Sequence, residues 1–222
     1  MSFFQGKNLI GNRVTVGSIT VTVRKLIGEG GYAYVYRCDD SYHNVYALKY
    51  VKCLPNLYDQ FLYEVHILQQ LAQGNNPHIV KYVSSAENPS TNEILLLLEY
   101  CPVSAISILQ NRELSSSEIL IFFIAAAEAI AYLHSQSPPL WHRDMKPENL
   151  LVSSDGVVRL CDFGSSTTIQ YSPQNAIQGK DDIESNTTPA YRSPEFHIII
   201  NIITIGRDTL KILIHNSTSD YM

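Results

Sequence analysis

The sequence predicts an α+β fold of two lobes, a strand-rich first lobe with one helix and a mainly helical second lobe. Three observations predict it. Residues 14–50 alternate β-branched and aromatic side chains with polar ones, a period of two that fits half-buried strands. Residues 58–72 then switch to helical spacing. Past Cys101-Pro102 the apolar residues keep to helical spacing over long stretches, so the second half of the chain reads as helices.

In chain order, residues 14–50 read as three antiparallel strands, broken by Gly28-Glu29-Gly30-Gly31 and Asp39-Asp40-Ser41. The following helix places Phe61, Leu62, Val65, Leu68 and Leu71 on one face and ends near Gly74. Strand patterning returns at 79–83 and 93–100. Residues 104–111 and 117–136 read as two helices. The second follows Ser115-Ser116-Ser117-Glu118, a capping pattern, and is apolar on most sides. It is therefore expected to sit in a core, and its apolar run, 119–133, to be too short to span a bilayer. Residues 149–152 and 157–161 form a hairpin through Asp155-Gly156, a pair that favours tight turns. That hairpin sets Asn149 and Asp162 at neighbouring ends.

A chain of 222 residues, 45% hydrophobic, can bury a substantial core. Its net charge of -5, with no basic block, gives no field that would recruit nucleic acid or an anionic membrane. Cys38, Cys53, Cys101 and Cys161 are scattered without a C-x-x-C pair, the usage of a reduced compartment rather than a disulfide or zinc framework. The first residues lack the basic start and long apolar stretch of a secretory signal. The expectation is a cytoplasmic protein with no membrane insertion.

Several stretches carry chemistry. Gly28-Glu29-Gly30-Gly31, between two predicted strands, is small enough for backbone N–H groups to approach phosphate oxygens. One strand later comes Val45-Tyr46-Ala47-Leu48-Lys49, and Glu64 lies on the face of the next helix that could pair with Lys49. His142-Arg143-Asp144-Met145-Lys146-Pro147-Glu148-Asn149 precedes Asp162-Phe163-Gly164, and Thr187-Thr188-Pro189-Ala190-Tyr191-Arg192-Ser193-Pro194-Glu195 closes the segment. In this order and spacing the stretches resemble a protein kinase.

The resemblance implies ATP and Mg2+ as cofactors and protein hydroxyls as acceptors. Asp144 would accept or orient the substrate hydroxyl, Lys146 would neutralise the moving phosphoryl group, and Asn149 and Asp162 would bind the metal. Lys49, paired with Glu64, would meet the α- and β-phosphates, with Gly28, Glu29, Gly30 and Gly31 covering them. The base would lie between Val35 and Ala47 above and Leu151 below, bonded by the backbone of Glu99 to Cys101, with Leu98 bordering a deeper pocket. Lys146 placed two residues after Asp144, and Thr188 before a proline, is the Ser/Thr-kinase pattern, which adds Thr188 to the active site. Arg143 could pair with a phosphate on Ser185 or Thr187.

Val14-Thr15-Val16-Gly17, Gly28-Glu29-Gly30-Gly31-Tyr32-Ala33, Leu160-Cys161-Asp162-Phe163-Gly164-Ser165-Ser166-Thr167 and Thr187-Thr188-Pro189-Ala190-Tyr191-Arg192 are together similar to the Numb-associated kinase family, which includes the adaptor-associated and cyclin-G-associated kinases. Cys101 and the insertion-like 171–185 agree with it. That family implies action on clathrin adaptor proteins, endocytosis and cortical actin. The kinase domain is expected over 14–195, divided into lobes 14–100 and 101–195. The stretch 196–222 is isoleucine-rich and does not match a kinase, where an Asp-x-Trp-x-x-Gly helix is expected. Two function classes follow: an active Ser/Thr kinase, or a truncated kinase-like module that binds nucleotide or protein with little or no catalysis.

Overall fold

The computed structural model describes residues 9–169 and 176–192. The expected tail at 196–222, with Ser193, Pro194 and Glu195, lies outside them. The first lobe is built on a six-stranded antiparallel sheet of β1 (Arg13–Val16), β2 (Ile19–Glu29), β3 (Ala33–Asp40), β4 (Val45–Lys52), β5 (Tyr82–Asn88) and β6 (Glu93–Glu99), in the order β1-β2-β3-β4-β6-β5. Residues 14–50 thus hold four strands, not the three expected. The additional turn is Gly17-Ser18, closed between the paired residues Val16 and Ile19 with Gly17 at φ 58°. Two residues between β-branched flanks leave the composition almost unchanged, which is why the pattern runs through the turn unnoticed.

Alternation along the strands decides what each face meets. Leu48 and Tyr50 of β4 join Val21, Val23, Tyr36, Cys38 and Leu97 in one apolar cluster. Val51 of β4 and Ile94 and Leu96 of β6 point to the opposite face, into a second cluster with Val65, Leu68 and Leu71 of helix α1 (Tyr58–Ala72). Lys49 has the parity of Val51 and therefore faces α1. The helix buries Glu64 on the same side as its apolar stripe.

The second lobe contains β7 (Val103–Ser104), α2 (Ala105–Leu109), α3 (Ser116–His134), β8 (Leu150–Val152), β9 (Val158–Leu160) and α4 (Ala176–Asn186), with a small sheet ordered β7-β8-β9. Gly156, at φ 80°, makes the β8–β9 turn. Ser115 accepts from the Glu118 N–H while the Glu118 carboxylate accepts from the Ser115 N–H, the reciprocal cap expected from the sequence.

The depth of α3 differs from expectation. Only Ala125, Ala129 and Leu133 are fully buried, while Ile119, Leu120, Ile121, Phe123 and Ile124 are 46–70% exposed. It packs beside β9 and, through the Tyr132 hydroxyl on the Leu71 carbonyl, on α1; at its N-terminal end Glu118 pairs with Arg112, while the apolar side chains from Ile119 to Ile124 stay largely exposed. At 19 residues it is also long and apolar enough to cross a membrane by length and composition, unlike the shorter run read from the sequence.

The lobes are stitched together beside β9. The Val80 N–H donates to the Leu160 carbonyl at 2.9 Å and the Leu160 N–H to the His78 carbonyl at 2.8 Å. Arg159, 2% exposed, donates to the Pro77 carbonyl and to Asp155, and lies 2.7 Å from the Glu99 carboxylate at the end of β6.

Candidate active site between the lobes

Strand parity and helix phase bring Lys49 and Glu64 together. Lys49 Nζ donates to both Glu64 oxygens at 2.7 Å and reaches Asp162 Oδ1 at 3.3 Å. Burial alone would lower the Lys49 pKa, but the Glu64 and Asp162 carboxylates outweigh it and hold the ammonium above its ordinary range. Burial likewise pushes Glu64 up, against the pull of Lys49. The Lys49 charge, foremost, keeps Asp162 below the usual carboxylate range. The Asp162 side chain is 49% exposed, so an ionised oxygen donor opens onto the cleft. Phe163, next to it, is fully buried and meets the His142 ring edge-to-face at 5.1 Å, which fixes the direction in which Asp162 points.

Asp144 lies at the centre of a second group. Its Oδ2 accepts from Lys146 Nζ at 2.6 Å; its Oδ1 accepts from the Thr188 hydroxyl at 2.6 Å and the Thr188 N–H at 3.2 Å. Lys146 Nζ also donates to Thr188 Oγ1 at 3.1 Å. Burial works to raise the Asp144 pKa, but the bonds from Lys146 and Thr188 leave it below the ordinary value, so the carboxylate is ionised. Asn149 Nδ2 donates to the Asp144 carbonyl at 2.8 Å, an orientation that leaves the amide oxygen as the end able to meet a cation. The Cys161 N–H donates to the Asn149 carbonyl at 3.0 Å, so Asn149 and Asp162 occupy adjacent ends of the β8–β9 hairpin. A cleft lined by Arg143, Asp144, Met145, Thr188 and Tyr191 opens beside this group.

No cluster of three or more His, Cys, Asp or Glu side chains that could hold a metal occurs among the described residues. The donors present suit a hard cation that takes the rest of its ligands from phosphate oxygens and water: one carboxylate, Asp162, and one amide oxygen, Asn149.

Gly28 and Glu29 end β2, paired with Val35 and Tyr34 of β3, and Gly30 and Gly31 open the turn that follows, held by the Gly30 N–H on the Ala33 carbonyl at 2.8 Å. Beneath it, Val35 pairs with Lys49 across β3 and β4, and Ala47 pairs with Leu98 across β4 and β6. Leu151 sits on β8, opposite Ser104. Val35, Ala47, Leu98 and Leu151 are all half-buried. In the connection between the lobes, the Glu99 N–H is already bonded to the Lys81 carbonyl at 3.0 Å and the Glu99 carboxylate to the Lys81 N–H at 2.6 Å. Burial pushes the Cys101 thiol up to about 12.

The sequence reading missed one partner. Arg143 is held by groups that the sequence did not mark. Its Nε donates to the Ser165 carbonyl at 2.5 Å and its Nη1 to the Asp182 carboxylate on α4. Asp182 falls in the stretch marked only as insertion-like, and no spacing rule links positions 143 and 182. Arg159, bound to Pro77, Asp155 and Glu99, was equally unmarked.

The profile of the protein kinase domain matches residues 21–201. Actin-regulating kinase PRK1 of Saccharomyces cerevisiae is 35% identical over 202 residues, covering 83% of this chain and 25% of that protein. Serine/threonine-protein kinase sel-5 of Caenorhabditis elegans is 36% identical over 200 residues, 84% of this chain and 18% of its own length. A probable serine/threonine-protein kinase of Dictyostelium discoideum is 35% identical over 205 residues, 85% of this chain and 25% of that protein. The chain thus spans about a quarter of the length of these relatives or less.

Proposed function

The chain belongs to the protein kinase domain family, with serine/threonine kinases as its relatives, and on that premise we propose that it transfers the γ-phosphoryl group of ATP to serine or threonine hydroxyls of protein substrates. The observation that carries this reading is Lys49 held by Glu64 and Asp162 on one side of the cleft, with an ionised Asp144 bound to Lys146 and Thr188 on the other. Lys49, braced by Glu64, meets the α- and β-phosphates. Gly28, Glu29, Gly30 and Gly31 cover them, and the base lies between Val35, Ala47 and Leu151 against the Glu99 to Cys101 backbone.

Asp144 takes the proton of the acceptor hydroxyl as its oxygen bonds to phosphorus and the bond to the ADP oxygen breaks. Lys146 balances charge on the transferring group, and Thr188 fixes the Asp144 carboxylate. Mg2+, when bound, neutralises phosphate charge, and Asn149 and Asp162 would hold it.

Within the family the reading is a Numb-associated type, acting in the cytoplasm on clathrin adaptor proteins, in endocytosis or actin regulation, without entering a membrane. Two relatives carry "actin-regulating" in their names. Ala129 and Leu133 of α3 lie in the core shared by the lobes, which supports a helix packed within the fold. The test is phosphate transfer to a protein substrate. Asp144→Asn is expected to lower the rate by about 100-fold or more while ATP still binds. Unchanged transfer removes the assignment of Asp144, and a wild-type protein that binds ATP but transfers nothing is a binding module instead.

A further inference from the structure

Arg143 precedes Asp144 and carries a backbone φ of 67°, a left-handed conformation that a non-glycine residue adopts only where its surroundings impose it. What imposes it here is the side chain's anchorage. The side chain is 11% exposed, and its guanidinium is bonded to the Ser165 carbonyl after Asp162-Phe163-Gly164 and to the Asp182 carboxylate on α4. The other oxygen of Asp182 accepts from Asn186 Nδ2 at 2.8 Å, one helical turn on.

From there the chain returns to the reacting centre. Thr187 Oγ1 donates to the Ile183 carbonyl and accepts from Arg192 Nε, each at 2.6 Å, and Arg192 Nη2 donates to the Glu184 carbonyl at 2.9 Å. Thr188 then gives its hydroxyl to Asp144. A closed ring results: Asp144, its neighbour Arg143, Asp182, the last two turns of α4, Thr188 and Asp144 again.

We propose that Asp182 is the built-in counter-anion of the catalytic loop, a positioning residue whose carboxylate locks Arg143, α4 and Thr188 into the reactive arrangement without an added phosphate. A guanidinium this buried requires an anion, and the fold supplies one from its own chain. The hydroxyls nearby are turned to other work. Ser185 is exposed and donates to the Asp181 carbonyl, and Thr187 is bonded on both sides. A phosphate on either reaches Arg143 only by displacing Asp182, with which it shares the sign of its charge. This inference rests on the kinase reading for the meaning of "reactive", so its test reads the ring itself.

The test is hydrogen–deuterium exchange on the full chain, in peptides covering 142–146 and 183–188. Asp182→Asn is expected to speed exchange in both at least tenfold. Arg143→Gln with Asp182→Asn is expected to be no worse than either single change, because the two groups act as one pair. Wild-type protein shown by mass to be free of phosphate after phosphatase treatment is expected to keep full protection; this arm needs no variant and stands even if Asp182→Asn fails to fold. Unchanged exchange in Asp182→Asn, additive effects in the double variant, or protection lost on dephosphorylation each overturns the proposal. Phosphate transfer by the wild type is measured alongside: its absence overturns the kinase reading, while the exchange pattern still decides this one.

Discussion

His142 is buried, and its two ring nitrogens meet opposite kinds of group: Nε2 lies 3.1 Å from the Cys161 carbonyl, which can only accept, and Nδ1 takes the Asp144 N–H at 3.3 Å, which can only donate. The ring is therefore neutral with its proton on Nε2. Burial, the leading cause, depresses its pKa below the ordinary 6.5. As pH falls below 6.5 the unfolded chain takes up a proton that the folded ring refuses, so stability present above that value is lost on the way down to the folded pKa. Urea unfolding between pH 7 and pH 5 is expected to show this as a slope of up to about 1.4 kcal/mol per pH unit, absent in His142→Gln. The glycines of the β2–β3 turn give a second prediction. None of Gly28, Gly30 and Gly31 has a positive φ, and a Cβ at Gly31 would meet nothing within 4 Å. Neither backbone conformation nor packing asks for glycine there. Gly31→Ala is expected to change stability by less than about 0.5 kcal/mol while raising the KM for ATP about fivefold, the worth of one hydrogen bond of ~1 kcal/mol.

Among the elements, α1 was legible because five apolar residues and Glu64 mark its inner face, and the structure gives the same span, Tyr58–Ala72. Helix α3 was legible in its cap and extent but not in its depth. Periodicity reports which side chains are apolar, not whether a neighbour covers them, and here the described neighbours cover only the C-terminal half. Ser115→Ala, which removes the side-chain acceptor for the Glu118 N–H, is expected to cost about 1 kcal/mol, measurable as a lower Tm. Leu120→Lys together with Phe123→Lys, at positions 56% and 70% exposed, is expected to leave Tm nearly unchanged and to reduce light scattering from concentrated protein. A fall in Tm of many degrees would mean that another part of the protein covers this face.

For the molecule as a whole, the positions of Lys49, Glu64, Asp144, Asn149, Asp162 and Thr188 could be read from ordered short motifs, because each lies in or beside a contiguous stretch whose spacing the chemistry defines. The pairings that hold the two lobes and α4 could not. Arg159 with Glu99 and Pro77, and Arg143 with Asp182, join segments remote in sequence, and no local pattern encodes them. Arg159→Ala removes the cation beside the Glu99 carboxylate and empties a fully buried site, so it is expected to destabilise the protein by about 3 kcal/mol or more, checked by urea unfolding with probes in both lobes. The sequence suggests a division at 100/101, yet His78 and Val80, which belong to the first half, hydrogen-bond to Leu160 of the second. Cutting the chain at Tyr100 would therefore not release two independent pieces. Each fragment would carry one side of a seam, the first offering the His78 carbonyl and the second the Leu160 backbone, and the severed halves are equipped to find each other again.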